Sequence, residues 1–179
     1  GSSDAITRTV EDSDAVIYNV GILREFSGSG ITFEALQYDG LVRVVDIARE
    51  CGVSRLLLMS ANGVSANGTA YQQTKYRAEQ YAEDSGMAVT VFRPSVIFGD
   101  PRGAMEFATQ LYRDMVKPPL PAIGFFPGWN PSRGQVLMSP VHIEDVAAAF
   151  DRALDDVSTI GKTFRLGGPE VLSWTDMLT

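Results

Sequence analysis

Short apolar runs alternate with amphipathic stretches along this 179-residue chain, and the alternation limits the folds open to it. Apolar runs closed by Gly, Pro or Ser are typical of buried strands. Such runs occupy residues 15–21, 55–60, 88–93, 95–98, 136–141 and 162–166. Helical periodicity extends over residues 32–51, 71–85, 104–117 and 143–156. This order predicts βαβ units, and therefore an α/β fold with a parallel sheet buried on both faces.

Charge and composition exclude several classes of function. The chain has 15 basic and 22 acidic residues, a net charge of −7, which disfavours a nucleic-acid surface because such surfaces carry clustered cations. One cysteine and one histidine argue against a zinc site, so we expect no metal. No apolar run approaches the roughly 18 residues that a transmembrane helix needs, so we expect no membrane-spanning segment.

Chemically useful side chains lie where the predicted strands end. Ligands of parallel sheets bind beyond the carboxyl ends of the strands. Residues 19–21, Ser60 and residues 93–95 mark three such ends. Tyr71 and Lys75 lie four residues apart at the start of the next predicted helix, so their side chains share one helix face.

This spacing is typical of proton-transfer chemistry. An ammonium beside a phenol favours the phenolate and lowers the pKa of the tyrosine from about 10. Tyr71 is therefore the candidate acid/base, and Lys75 would tune it and hydrogen-bond a ribose. Ser60 is placed to polarise a carbonyl. Farther along the same helix, three acidic residues are expected to form a solvated face, namely Glu79, Glu83 and Asp84.

These segments resemble a known family. The sequence YQQTK at 71–75, following LLLMS at 56–60, is similar to the active-site segment of short-chain dehydrogenase/reductases. The stretches RPSVIFG at 93–99, VHIEDVA at 141–147 and FRLGG at 164–168 resemble later segments of its extended and atypical branches. Residues 32–40 and 167–174 resemble one atypical group, which includes the nucleotide-binding accessory subunit of respiratory complex I and its bacterial relatives.

The resemblance implies a Rossmann-like, doubly wound sheet that binds NADP(H) or NAD(H), with NADP(H) favoured. It implies hydride transfer to or from a small carbonyl or alcohol substrate, with Tyr71, Lys75 and Ser60 as the catalytic residues. The cofactor contacts that it implies are Asn19, Val20, Gly21, Ser60, Lys75, Pro94, Ser95 and Val96. The implied compartment is the cytoplasm of a bacterium or the mitochondrial matrix of a eukaryote.

Three departures from the family pattern keep a second function open. The Gly-rich phosphate loop of the first βαβ unit has no counterpart, so we expect an N-terminally incomplete fold. Only ten residues separate Ser60 from Tyr71, fewer than in the active extended members of the family. Gln37 stands where active members carry Asn. The alternative is a non-catalytic NADP(H)-binding accessory or assembly module of a larger complex such as respiratory complex I. Epimerase or dehydratase chemistry is a third alternative.

The C-terminal part is expected to be a smaller substrate region. We expect residues 1–117 to form the latter part of the Rossmann domain and residues 118–179 to add an apolar loop, returning strands and a helix. The loop at 118–134 holds five prolines with Phe125, Phe126 and Trp129. Such an apolar segment is predicted to line the substrate pocket or to form a patch that faces a protein partner or a membrane, unless it packs over its own C-terminal region.

Overall fold

Strands and helices alternate in the computed structural model, which describes residues 3–100, 137–173 and 176. The helices are α1 (Ser3–Val10), α2 (Asp39–Glu50), α3 (Ala70–Asp84) and α4 (Ile143–Asp155). The strands are β1 (Ala15–Tyr18), β2 (Arg55–Met59), β3 (Ala88–Pro94), β4 (Ile97–Phe98), β5 (Leu137–Met138), β6 (Val141–His142), β7 (Lys162–Leu166) and β8 (Leu172–Ser173). The predicted helix at 104–117, the loop at 118–134 and the predicted boundary after residue 117 lie outside the described residues.

One sheet carries the fold, with its strands in the order β1-β2-β3-β7. β1 pairs in parallel with β2, and β2 in parallel with β3. β7 runs in the same direction as β3, because Gly161 N donates to Val89 O at one end and Ser95 N donates to Leu166 O at the other. The predicted α/β fold with a Rossmann-like parallel sheet is therefore confirmed.

Apolar side chains from alternate strand positions face opposite sides of the sheet. On one side, α2 and α3 pack on the strands. The buried cluster there consists of Tyr18, Leu41, Val45, Leu56, Leu58, Ala78, Ala82, Val89 and Val91. On the other side, the Phe92 ring packs against Phe150 of α4 and Phe164 of β7, with centroids 4.4 Å and 5.8 Å away. Helices on both faces make the sheet doubly wound, as predicted.

The helix predicted over residues 32–51 is interrupted near its start. Residues Glu34–Tyr38 form a π-helical turn, and regular α-helix begins only at Asp39. The Tyr18 hydroxyl donates to Leu36 O at 2.5 Å. A side chain that captures a helix carbonyl displaces the regular ladder, which is a recognised cause of a π turn. The sequence periodicity did not predict this interruption because the hydrogen bond comes from a residue 18 positions away.

The first strand is shorter and less buried than predicted. The sequence favoured a buried strand over residues 15–21, but β1 ends at Tyr18 and Ile17 is 46% exposed. The cause is its place in the sheet. β1 is the outermost strand of the described sheet, so it has a strand neighbour on one side only.

The chain divides into two units, Gly1–Arg93 with Ala149–Arg165 and Pro94–Ala148 with Leu166–Thr179. In the second unit, β4 pairs in parallel with β6, and β5 pairs antiparallel with β8. The single strand predicted over residues 136–141 is therefore wrong. Pro140 separates β5 from β6, and proline has no N–H to continue a ladder.

No helix in the described ranges combines the length and the apolar character needed to cross a lipid bilayer.

Candidate functional site

The first turn of α3 is held by side chains, and this holds Tyr71 and Lys75 in place. Thr69 Oγ1 accepts a hydrogen bond from Gln72 N, and Gln72 Oε1 accepts one from Thr69 N at 2.8 Å, a reciprocal capping box. Gln72 Nε2 also donates to Gly63 O at 2.8 Å, which ties the loop after β2 to the helix. The Tyr71–Lys75 face therefore starts from a defined helix end.

Lys75 lies at the carboxyl ends of two neighbouring strands. Its side chain is 6% exposed, and Nζ donates to Met59 O, at the end of β2, at 3.0 Å. A Cβ placed on Gly21, just after β1, would lie 3.3 Å from Nζ. Because Gly21 has no side chain, the backbone after β1 passes close to the ammonium. Burial lowers the pKa of Lys75 to about 8, with Glu79 acting in the opposite direction.

Ser60 follows Met59 directly and presents a buried hydroxyl to this region. Its N donates to Phe92 O at 2.7 Å, which continues the β2–β3 ladder, and its side chain is 4% exposed. Its Oγ has no hydrogen-bond partner among the described residues. A buried polar atom without a partner costs about 1–3 kcal/mol. A ligand that hydrogen-bonds Ser60 Oγ would recover that cost.

Tyr71 lies on the predicted helix face, but its environment differs from the expectation. Its ring packs edge-on against Phe33, with the centroids 5.6 Å apart. Burial raises the pKa of the Tyr71 phenol, whereas we expected the Lys75 ammonium to lower it. The physical reason is that Lys75 Nζ donates to the Met59 carbonyl, so desolvation dominates at the phenol.

The remaining predicted contacts lie in two places. Asn19 and Val20 follow β1 and are exposed beside Gly21. Pro94, Ser95 and Val96 belong to the second unit, where Ser95 Oγ accepts a hydrogen bond from Ser139 N at 3.1 Å and Val96 O accepts one from Val141 N at 2.9 Å. The structure thus brings together Gly21, Lys75 and the end of β2 next to Ser60.

Gln37 is a buried, hydrogen-bonded residue of this region, and the sequence did not predict these contacts. It is 1% exposed and lies in the π turn. Its Nε2 donates to Ile22 O at 2.9 Å, and its Oε1 accepts from Thr74 Oγ1 at 2.9 Å. Gln37 therefore links the segment after β1 to α3 beside Lys75. A helical periodicity count cannot reveal it, because a glutamine at a core position reads as a break in the apolar stripe.

The burial of Glu79 was predicted wrongly from the sequence. Glu83 and Asp84 are exposed as predicted, but Glu79 is 1% exposed. Arg93, at the end of β3, donates from Nε to Glu79 Oε1 at 2.9 Å and from Nη2 to Oε2. A carboxylate tolerates burial when it is ion-paired, and the Arg93 guanidinium forms a bidentate ion pair with Glu79. The spacing of four from Lys75 was the available signal, since it places Glu79 on the same helix face.

A comparison with protein families decides the class of this chain. Residues 1–115 match the model of the family described as NAD(P)H-binding. This chain belongs to the NAD(P)H-binding family. The match covers β1, β2 and β3 with the helices and loops between them, and so includes Gly21, Ser60 and Lys75. The nicotinamide-dinucleotide-binding family that the motifs predicted is therefore confirmed.

Curated relatives of this NAD(P)H-binding protein are mitochondrial. One is the NADH dehydrogenase (ubiquinone) 1 alpha subcomplex subunit 9 of Arabidopsis thaliana, 28% identical over 176 residues. The subunit of the same name from Mus musculus is 28% identical over 171 residues. These alignments cover 95% and 93% of this chain but 40% and 41% of the relatives. The chain thus spans about two fifths of the length of the curated relatives it matches.

Solved structures share the fold of this NAD(P)H-binding protein at low identity. The epimerase Mth375 of Methanothermobacter thermautotrophicus aligns with a TM-score of 0.76 and 18% identity, covering 99% of this chain and 58% of that one. MoeE5 in complex with UDP-glucose and NAD aligns with a TM-score of 0.74 and 16% identity, covering 99% and 64%. At such identities the likeness establishes a shared Rossmann-like fold.

Proposed function

We propose that the chain binds NADP(H) at the carboxyl ends of β1 and β2 and works as an oxidoreductase of the short-chain dehydrogenase/reductase type on a carbonyl or alcohol. The observation that carries the proposal is the Lys75 ammonium, buried against Gly21 at those strand ends and hydrogen-bonded to Met59 O. Burying a lysine is unfavourable, so a buried lysine at a ligand-binding edge of the sheet points to a functional use. NADH is the second candidate cofactor.

The residues of this region fit a nicotinamide dinucleotide. Lys75 has three donors, of which one is used by Met59 O, and the others suit a ribose diol. Asn19, Val20 and the side-chain-free Gly21 supply exposed backbone next to the ammonium, which suits close approach by the cofactor. The proposal also assigns Pro94, Ser95 and Val96 to the nicotinamide side.

The proposed chemistry divides between the cofactor and three side chains. A bound nicotinamide dinucleotide supplies or accepts the hydride. Tyr71 holds its proton at neutral pH, because burial raises the pKa of its phenol, and it donates that proton to the carbonyl oxygen during reduction. The free Ser60 hydroxyl polarises the same carbonyl. Lys75 orients the ribose, and the phenolate that remains takes up a proton from solvent.

A second candidate function is non-catalytic binding of NADP(H) within a larger assembly. Two observations favour it: burial raises the pKa of Tyr71, and Lys75 donates to a backbone carbonyl. The curated relatives are named as subunits of NADH dehydrogenase. In this function Lys75 and Gly21 keep their binding roles and Tyr71 has none.

A partner contact and a cellular compartment can be proposed that suit either candidate function. The apolar loop with Phe125, Phe126 and Trp129, which lies outside the described residues, is the proposed contact for a protein partner or the wall of a small-molecule pocket. The mitochondrial names of the relatives favour the mitochondrial matrix for a eukaryotic source, with the cytoplasm proposed for a bacterial one.

The experiment compares binding with turnover. NADPH fluorescence titration and NADPH oxidation over a panel of aldehydes, ketones and 4-keto sugar nucleotides are measured on wild type, Tyr71→Phe and Tyr76→Phe. Tyr76 is the matched control, because it is a half-buried tyrosine on the same helix. The oxidoreductase proposal predicts oxidation by wild type and Tyr76→Phe that Tyr71→Phe reduces at least about a hundredfold. Binding with no turnover on any compound would refute it in favour of the accessory function.

A further inference from the structure

A buried ion pair lies behind the candidate site on the same helix face. Tyr71, Lys75 and Glu79 follow one another at intervals of four along α3, so they form one stripe. Glu79 is buried, and its carboxylate accepts hydrogen bonds from Nε and Nη2 of Arg93. α3 is thereby fastened to β3, which pairs with β2, the strand whose last carbonyl binds Lys75.

Stability alone gives a poor account of this pair. Replacing a buried ion pair by apolar residues of similar volume is often neutral or stabilising, because two charges must be desolvated to form it. A buried ion pair is therefore weak evidence of a purely stabilising role. Its position relative to Lys75 suggests a different role.

Lys75 is a buried charge without an ion-pair partner among the described residues. Its Nζ is bound by a neutral carbonyl, and the stripe places the Glu79 carboxylate one turn away. Glu79 raises the pKa of Lys75 against the effect of burial. Among the described residues, Glu83 and Tyr76 on α3 also act on Arg93, and Tyr71 lies at the start of the stripe.

We propose that Glu79 is a positioning residue of the nucleotide site: it keeps Lys75 charged for ribose binding, and Arg93 holds Glu79 in the place where it does so. Without a nearby negative charge, a lysine this deeply buried loses its proton around neutral pH. A neutral Lys75 would present fewer donors to a ribose diol. The role rests on the proposed function, in which Lys75 binds the ribose of NADP(H).

The test measures the protonation of Lys75 directly. The chain has three lysines, Lys75, Lys117 and Lys162, so a protein labelled with ¹³C-lysine gives few Cε signals. Lys117→Arg and Lys162→Arg assign them, and the Cε shift is followed against pH without cofactor. Glu79→Gln removes the charge and keeps the shape. The matched control is Glu83→Gln, the same change at an exposed site one turn farther along α3.

The proposal predicts that Glu79→Gln weakens the affinity of Lys75 for its proton roughly thirty- to a hundredfold, the size expected for opposite charges about 6–8 Å apart at an effective dielectric near 20. Glu83→Gln should change it less than about twofold. If Glu79 served only to hold α3 in place, its loss would loosen the helix, expose Lys75 and raise the pKa instead. An unchanged or raised Lys75 pKa in Glu79→Gln would overturn the proposal.

A double variant provides the same measurement if Glu79→Gln alone does not fold. Glu79→Gln combined with Arg93→Gln removes both members of the pair, so neither Glu79 nor Arg93 is left as an unpaired charge, and we expect the double variant to fold even if the single variant does not. The Lys75 pKa is again expected to fall, and a rise would contradict the proposal. A second readout is the pH profile of NADPH binding, whose midpoint should move to lower pH in Glu79→Gln. Absence of NADPH binding in wild type would refute the proposed function, whereas the NMR result stands independently of it.

Discussion

Replacing Lys75 by methionine should stabilise the protein while removing the proposed function. Methionine has a similar unbranched shape and needs no hydration. Burial lowers the pKa of Lys75 from 10.5 to about 8, which corresponds to roughly 3 kcal/mol of unfavourable free energy for the charged form. Loss of the hydrogen bond to Met59 O offsets about 1 kcal/mol of the gain. The net expectation at pH 7 is an unfolding free energy higher by about 1–3 kcal/mol.

The pH dependence of this gain follows from the direction of the pKa change. Because the folded pKa lies below the unfolded one, the unfolded state binds more protons between about pH 8 and 10.5. The cost of the charged lysine is therefore fully present below pH 8 and disappears as the pH rises to 10.5. The advantage of Lys75→Met over wild type should shrink across the same window.

Urea unfolding followed by circular dichroism at pH 7 and pH 10 measures both effects. Lys162→Met is the control, since Lys162 is an exposed lysine of β7 and should change stability by less than about 0.5 kcal/mol. A Lys75→Met protein that is less stable than wild type at pH 7 would show that the buried ammonium does not carry this free-energy cost. So would an advantage of the same size at both pH values.

Three further substitutions test how the site is built. Tyr18→Phe removes the hydrogen bond to Leu36 O and should lower the unfolding free energy by about 1 kcal/mol in urea titration. Gly40→Ala places a Cβ 2.5 Å from the Tyr18 hydroxyl, so it should destabilise the wild type. In the Tyr18→Phe background the same change should gain up to about 1 kcal/mol of helix propensity, and equal effects in both backgrounds would contradict the packing described. Gly21→Val crowds Lys75 Nζ and should weaken NADPH binding at least about tenfold in fluorescence titration, with thermal unfolding little changed.

The sequence predicted the elements of the sheet because their causes are local. β2 is a run of Leu-Leu-Leu-Met after Arg55, and α3 begins one residue before the predicted start because Thr69 and Gln72 cap it. Tyr71 and Lys75 were found by spacing alone, which is a property of any helix. These features need no knowledge of distant residues.

The features that the sequence missed all depend on contacts between distant segments. The π turn results from a tyrosine on β1, and the burial of Glu79 results from an arginine on β3. The direction of the Tyr71 pKa was predicted wrongly because it depends on where Lys75 points, and Lys75 points to the end of β2. Periodicity describes one element at a time and carries no information about such partners.

Nucleotide titration of wild type and Lys75→Met measures whether the buried lysine holds a nicotinamide dinucleotide. NADPH and NADH are each titrated at pH 7 by intrinsic fluorescence and calorimetry, with Lys162→Met as the control. We expect saturable binding to wild type and Lys162→Met, tighter for NADPH than for NADH, and an affinity lower by at least about tenfold in Lys75→Met. Failure of wild type to bind either nucleotide, or equal binding by Lys75→Met, would contradict this expectation.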